Sequence, residues 1–315
     1  MKKLRYLLAA VFILVLLCGL WKKNDSREFT QTEFLFDTTC SVTFYGKEAE
    51  KAAEAVFLRL AQIDELMDMY SEDSDVAKIN RAAAFEEVKV SSDTFNVISA
   101  AFEISEISKG AFDITIAPLK KLWNFDAKTP HIPSDEEIDA AKAFVGYKNI
   151  TLDSRKMTVS KNVGEAEIDL GGAAKGYAAD EAAKLAKKYD LSGGIIDLGG
   201  NILCFGKNPK SENGKWKIGI QKPFAPTGTY ERVIETDGGA VVTSGIYQRY
   251  FKSDGKIYHH ILDPETGKPK TAEYEGVTVE MKSALYADCL ATAVYVMGKS
   301  GAAAVREMGG RCYVY

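Results

Sequence analysis

The sequence predicts an α+β fold in which antiparallel sheets pack against a few long helices. Two observations lead there. From Ile195 onward the pattern is mostly strands, around Ile196, Ile202, 216–221, 229–235, 257–262 and 276–281. The helical periodicities are few and long, and they do not alternate with strands as a doubly wound parallel sheet requires. The 315 residues, 46% hydrophobic and 27% charged, suffice for one large domain or two intertwined halves. No Pro-rich or Ser-rich linker divides the body.

The elements follow in order. Lys2, Lys3 and Arg5 precede an uncharged apolar run over 6–21, and Lys22 and Lys23 close it. Residues 1–23 therefore read as a signal peptide or an N-terminal membrane anchor. A buried core helix fits poorly, because no face is polar. Cys18 follows Val15-Leu16-Leu17 and resembles a bacterial lipoprotein acylation cysteine, although Leu17 stands where a small residue is expected. A lipid anchor at Cys18 and an uncleaved helix both remain open. Either places the body at the cell membrane, on its extracytoplasmic face.

Residues 24–31 read as a polar linker and 32–315 as the functional domain. A strand is expected over 34–45, ending at Gly46. An amphipathic helix over 47–70 follows, with Val56, Leu60, Ile63, Met67 and Tyr70 at three- and four-residue steps. Ser71-Glu72-Asp73-Ser74-Asp75 breaks it, and 76–81 makes a short helical turn. A second long helix spans 92–108 and stops at Gly110. Ser134 and Glu137 form a capping box for a third helix. A hairpin over 150–160 turns at 153–156, a helix spans 173–189, and the last helix spans 283–297.

The net charge is −4 and there is no basic stripe, which argues against nucleic acid as a partner. Cys40, Cys204, Cys289 and Cys312 show no C-x-x-C spacing, so they read as buried small hydrophobes rather than zinc ligands or a disulfide framework.

One phrase occurs twice. Ile168-Asp169-Leu170-Gly171-Gly172 recurs as Ile196-Asp197-Leu198-Gly199-Gly200. Paired glycines after a strand let backbone approach a ligand where a Cβ would clash. The first copy runs through Lys175 into a helix, whose first N–H groups suit an anion. It is expected to hold a phosphate-bearing ligand. The second copy lacks the lysine and leads through Asn201 into a strand, so it reads as a tight inter-strand turn near the pocket. Neither copy is a Walker A or Rossmann fingerprint.

Three further groupings could carry chemistry. Asp288 and Thr292 lie four residues apart, on one face of an otherwise apolar helix. Two hard oxygen ligands suit Mg²⁺; the alternative is a back-bonded threonine beside a solvated carboxylate. His259 and His260 end a strand and point to opposite faces, so one is offered to a site or both sit near a surface turn. Val242-Thr243-Ser244-Gly245, with Tyr247, Arg249 and Tyr250, could form a polar ligand loop without a nucleophile elbow. Tyr70 is a core edge or an aromatic shelf.

Together these segments resemble the ApbE family of FAD:protein FMN transferases, from about Phe34 to the end. The resemblance rests on the segment from Tyr70 to Asn80, on Gly110-Ala111-Phe112-Asp113 through Leu119 with Trp123, and on Asp169 to Tyr177. Thr243-Ser244-Gly245, His259 to Pro264 and Ala287 to Thr292 complete it, all in the family's order. Each motif alone is weak, and six in order are specific.

The resemblance implies a T-fold-like α+β architecture and an exported enzyme that splits FAD, attaches FMN through a phosphoester to a Thr or Ser of an acceptor protein with an FMN-binding domain, and releases AMP. It implies Mg²⁺ between Asp288, Thr292 and the Gly172 carbonyl. It implies FAD against Tyr70, Ala111, Phe112, Asp113, Asp169 and Lys175, with a further contact at Leu262 and the isoalloxazine on Tyr70. The family's flavin-contacting Met is replaced here by Phe36, before Asp37-Thr38. His260 is carried over as proton acceptor, with Asp263 expected to orient it. A Mg²⁺-dependent FAD pyrophosphatase and a non-catalytic exported FAD-binding protein are the competing readings.

Overall fold

The computed structural model describes residues 27–315. The expected anchor over 1–23, its Cys18 and the first residues of the expected linker lie outside the described residues. Among the described residues, no helix is long and apolar enough to cross a membrane.

The chain opens as a hairpin of β1 (Glu28–Leu35) and β2 (Thr38–Gly46). Residues 28–31, expected in the linker, are thus the first half of a strand, and the single strand expected over 34–45 is two. Alternation alone ran through the turn because Phe36 and Asp37 do not look like turn residues. Both adopt left-handed backbone, at φ 52° and 56°. A two-residue connection between twisted strands favours that conformation at both positions, usually with Asn-Gly. For a bulky Phe it is a strained choice. The Phe36 N–H donates to Asp64 Oδ2 at 3.0 Å, which pins the turn to the next helix.

That helix is α1 (Ala49–Met67), followed by α2 (Asp75–Arg81), the two-residue β3 (Val88–Lys89) and α3 (Ser92–Ile107). Ser74 and Ser91 cap α2 and α3 through their hydroxyls. A short helix α4 (Ala117–Trp123), absent from the sequence reading, precedes α5 (Asp135–Lys142), which carries the expected capping box. The expected hairpin appears as β4 (Ile150–Asp153) and β5 (Thr158–Lys161).

Helix α6 (Ala174–Ala186) leads into β6 (Leu191–Leu198) and β7 (Asn201–Gly206), joined at Gly199-Gly200. This is the inter-strand turn expected of the second repeat: both glycines have positive φ, and Asp197 Oδ1 accepts the Gly200 N–H at 2.8 Å. Next come β8 (Trp216–Gln221), β9 (Tyr230–Thr236) and β10 (Gly239–Gly245). The expected polar loop at Val242–Gly245 is therefore the end of a strand. Its hydroxyls are compatible with a sheet because they pair sideways, Thr243 with its register partner Thr278 at 2.7 Å. The chain ends with β11 (Tyr250–Ser253), β12 (Lys256–His259), β13 (Gly276–Met281), α7 (Ala284–Met297), α8 (Ala302–Glu307) and β14 (Arg311–Val314).

The main sheet has seven strands in the order β1-β2-β6-β7-β10-β13-β14, every neighbouring pair antiparallel. Alternate residues divide its faces. Cys40, Val42, Phe44, Ile196, Leu198 and Val242 point into the large core beneath α1, α6 and α7. Tyr45, Cys204 and Val241 point the other way, into a second core closed by Trp216, Ile218, Ile220 and Ile234 of the β8–β9 hairpin. A third cluster joins Leu119 and Trp123 of α4, Ile138 of α5 and Leu262. Cys40, Cys204 and Cys289 are buried as expected, whereas Cys312 is half-exposed; all four are free thiols.

Candidate active site

The helix pair α6–α7 is the frame on which the site is built. Asp180 of α6 caps α7: its carboxylate accepts the Ser283 hydroxyl at 2.7 Å and the N–H groups of Ala284 and Leu285 at 2.9 and 3.1 Å. At the crossing point stands Gly176, where an added Cβ would lie 2.3 Å from the Ala284 carbonyl oxygen. Asp93 of α3 holds α6 from the other side, accepting two bonds from Arg59 of α1 at 2.5 and 2.9 Å and the Tyr177 hydroxyl at 2.5 Å.

The first repeat enters α6 differently from expectation. Residues 166–170 belong to no strand. Their backbone is held by a side chain instead: Asn80 donates Nδ2 to the Ile168 carbonyl at 2.9 Å and accepts the Ile168 N–H at 2.7 Å. The N–H of Gly176, expected to be available to a bound anion, donates to Asp288 Oδ2 at 3.0 Å. The start of α6 therefore serves a carboxylate of the protein.

A cavity of about 730 Å³ opens over this frame, within the range of small-molecule sites. Phe36 and Tyr70 form part of its wall, and Tyr70 is 65% exposed. Ala111, Phe112 and Asp113 line it after the end of α3. The Asp113 carboxylate, however, is committed to its own loop. It accepts the Thr115 N–H and hydroxyl at 2.8 and 2.6 Å and the Tyr147 N–H at 2.6 Å. Burial pushes its pKa up against those bonds.

Asp169 faces the cavity in an ion pair that the sequence reading missed. Lys120 Nζ lies 2.5 Å from its Oδ2, and the Gly171 N–H donates to Oδ1 at 2.9 Å. Burial works to raise the Asp169 pKa, but the Lys120 charge and these bonds outweigh it and hold the carboxyl below its ordinary range. Lys175 Nζ donates to the Gly171 carbonyl at 2.9 Å.

Asp288 and Thr292 face the same cavity from α7. The Asp288 side chain is buried, and burial raises its pKa despite Lys175, the Gly176 N–H and the Asn201 amide. Thr292 Oγ1 sits 3.0 Å from Ser244 Oγ of β10, so it is not merely bonded back along its helix. Gly172 closes the group: a Cβ there would come within 3.2 Å of the Phe112 ring and 3.9 Å of Thr292 Oγ1. Among the described residues no three His, Cys, Asp or Glu side chains converge on a metal position. A cation held by Asp288 together with neutral oxygens would meet a hard donor set, the kind that suits Mg²⁺. Asn201, 2% exposed, supports that fit: its Nδ2 and Oδ1 both lack a hydrogen-bond partner. Leaving such an amide unsatisfied costs about 1–3 kcal/mol.

The two histidines separate as expected, His259 closing β12 and His260 following it. His259 is structural. Its Nδ1 accepts the Ile261 N–H at 3.3 Å, its Nε2 donates to the Lys270 carbonyl at 3.0 Å, and its ring meets the Tyr295 ring edge-on. His260 lines the cavity, with Nδ1 3.2 Å from the Arg249 carbonyl. A carbonyl only accepts, so Nδ1 carries the proton and Nε2 is left as the basic nitrogen. Burial, with help from the charges of His259, Arg249 and Lys175, pushes its pKa down to about 3, against the opposing Arg249 carbonyl.

Asp263 is not placed to orient that ring. Its carboxylate binds Lys270 Nζ at 2.9 Å and the Glu265 N–H at 3.0 Å, which fastens the turn after Pro264. The orienting role falls to the Arg249 backbone. Leu262 lines the cavity while its side chain joins the Trp123 cluster. Ser244 and Arg249, expected in a polar ligand loop, both line the cavity, whereas Lys120 and Asn201 are cavity residues to which sequence reasoning gave no role. Only Asn201 carried a signal, its place directly after the second Gly-Gly.

Comparison with known proteins bears on this constellation. A family model described as the ApbE family matches residues 36–314. The chain is 34% identical over 250 residues to the FAD:protein FMN transferase of Vibrio cholerae serotype O1, covering 79% of this chain and 74% of that protein. It is 30% identical over 317 residues to the FAD:protein FMN transferase of Treponema pallidum, covering 95% and 88%. The crystal structure of the ApbE protein of Thermotoga maritima superposes with a TM-score of 0.84 at 34% identity, covering 91% of this chain and 94% of that one. The flavin transferase ApbE of Vibrio cholerae gives 0.81 at 29%, covering 91% and 93%.

Proposed function

The chain belongs to the ApbE family, and from that premise we propose that it is an FAD:protein FMN transferase, moving FMN from FAD to a Thr or Ser hydroxyl of an acceptor protein and releasing AMP. The observation that carries this reading is the meeting, in one cavity, of a hard-oxygen cluster at Asp288, Thr292 and Gly172 with a neutral histidine whose Nε2 is basic.

The residues divide the work as follows. Tyr70 offers an exposed ring for the isoalloxazine to stack on, and Phe36 takes the place of the family's methionine against the flavin. Asp288, Thr292 and the Gly172 carbonyl would hold Mg²⁺, which when bound supplies charge neutralisation on the FAD pyrophosphate. Lys175 adds a fixed positive charge beside it. The acceptor oxygen attacks the FMN phosphorus, the bridging P–O bond breaks, and its electron pair leaves with AMP. His260 Nε2 takes the proton from the attacking hydroxyl, while Nδ1 stays on the Arg249 carbonyl. A base with a depressed pKa is a weak proton acceptor but is never blocked by protonation near neutral pH.

The same reading includes an extracytoplasmic, membrane-attached enzyme, held by residues 1–23 either as a helix or through acylation of Cys18. The acceptor is a protein with an FMN-binding domain exposed on that side.

The decisive experiment incubates the full chain in detergent with FAD, Mg²⁺ and an FMN-accepting domain and weighs the products. An acceptor heavier by one FMN supports transfer. Free FMN and AMP beside an unmodified acceptor would instead make the protein a pyrophosphatase. Unchanged FAD would leave it a binder.

A further inference from the structure

Asn201 is the one buried side chain, among the described residues, whose polar atoms find no hydrogen bond. It is not a loop residue caught by chance. It opens β7, pairs in register with Val242 of β10, and follows a glycine turn locked by Asp197. The rest of β7 and the paired β10 are largely buried, so its side chain is held where it is. An apolar residue of the same size would satisfy the packing without stranding an amide. Buried amides retained in such places have a partner that completes them.

The cavity supplies that partner's address. Asn201 lines it together with Asp288 and Thr292. The Asn201 amide also lies near enough to Asp288 to oppose the effect of burial on that carboxyl. The cation site proposed above draws on three oxygen donors: the Asp288 carboxylate, the Thr292 hydroxyl and the Gly172 carbonyl. Mg²⁺ asks for six oxygens in a near-octahedral array, so beside substrate phosphates and waters the shell has room for a further protein oxygen.

We propose that Asn201 is a positioning residue of the divalent-cation site: Nδ2 steers the Asp288 carboxylate, and Oδ1 joins the oxygen set that faces the cation. The two copies of the repeated phrase then have complementary parts. The first delivers the Gly172 carbonyl and Lys175 to the site; the second delivers Asn201 to the same site from the sheet. The inference rests on the cation site read above at Asp288.

The test uses the full chain in detergent, Mn²⁺ as the probe, electron paramagnetic resonance to measure its affinity, and thermal unfolding without any cation. Asn201→Leu weakens Mn²⁺ binding by about tenfold or more, the usual effect of removing a ligand-orienting group. Its cation-free unfolding temperature is unchanged or higher, because a stranded amide has been removed. Asn201→Asp, which keeps an oxygen in place, restores Mn²⁺ binding. Should Asn201→Leu fail to fold, Asn201→Ala carries the same comparison. Wild-type Mn²⁺ affinity in the Leu or Ala variant overturns the proposal, and so does failure of the Asp variant to restore binding. Asp288→Ala separates the two levels. If it too binds Mn²⁺ normally, the cation site itself is misplaced. If it loses Mn²⁺ while Asn201→Leu does not, only the role of Asn201 falls.

Discussion

The Gly176 N–H donates to Asp288 Oδ2 at 3.0 Å, bridging α6 and α7. The same residue makes the approach possible, since a Cβ on Gly176 would sit 2.3 Å from the Ala284 carbonyl oxygen. Helix packing and carboxylate placement are thus one contact.

Gly176→Ala should therefore act on both at once. The obstruction is backbone, which cannot rotate aside, so overpacking costs about 1–3 kcal/mol or more. Urea unfolding measures that loss. The same variant should bind Mn²⁺ more weakly, because separating the helices withdraws the N–H from Asp288. A stable Gly176→Ala protein with normal cation affinity would contradict this account of the crossing.

Asp288→Asn should uncouple stability from activity. Burial raises the Asp288 pKa, so the ionised form is a load on the folded state when no cation is present. The amide relieves it, and the cation-free unfolding temperature should hold steady or rise by roughly 2–4 °C, the shift worth about 1 kcal/mol in a domain of this size. Mg²⁺-dependent transfer should drop by about 100-fold or more, as expected for loss of the only charged ligand. Calorimetry and mass spectrometry of the acceptor read the two effects.

The Lys120–Asp169 pair invites a double-mutant cycle. Both groups are largely withdrawn from water, with side-chain exposures of 30% and 13%. Lys120→Met strands a carboxylate and should destabilise the protein by about 2–3 kcal/mol, the lower end for a buried pair because Lys120 is partly solvated. Adding Asp169→Asn should recover much of that loss. Simple additivity of the two substitutions would show that the pair contributes nothing as a pair.

The histidines set a pH dependence whose sign can be worked out. Burial lowers His259 to about 4 and His260 to about 3, both below the ordinary 6.5. Between those values and 6.5 the unfolded chain binds more protons than the folded one. Their contribution to stability is therefore complete above pH 6.5 and is lost as the pH falls toward 4. Nuclear magnetic resonance should find neither ring titrating between pH 5.5 and 8, a window chosen about one unit or more above the lowered values. A His260 midpoint near 6.5 would show that the ring is open to water.

The elements that were legible in advance are those with a local physical signature. Periodicity located α1 and α3, Ser134 with Glu137 located the start of α5, and the second Gly-Gly located the β6–β7 turn. The Phe36–Asp37 turn was hidden because its conformation is imposed by the strands and by Asp64, not chosen by its residues. Val242 to Gly245 looked like a loop because the hydrogen bonds that make its hydroxyls acceptable come from Thr278 and Thr292, far away in sequence. The family's motifs brought Asp288, Thr292, Lys175 and His260 into view, and the structure gathers all four in one cavity. Asp263 was expected to orient His260, yet its carboxylate is taken up by Lys270 and by the Glu265 N–H in the turn that follows it. Lys120 lay in a short helix with too few residues to show a period.

Asn201 and Val242 are direct partners on adjacent strands, and both line the cavity. Everything between them, including the whole β8–β9 hairpin and the core behind the sheet, contributes no residue to the cavity wall. The chain leaves the active centre at one rung of a ladder and comes back on the same rung. That stretch is a detour clamped at both ends, so evolution or an engineer can lengthen, trim or regraft its outer loops while the chemistry on the opposite face stays in register.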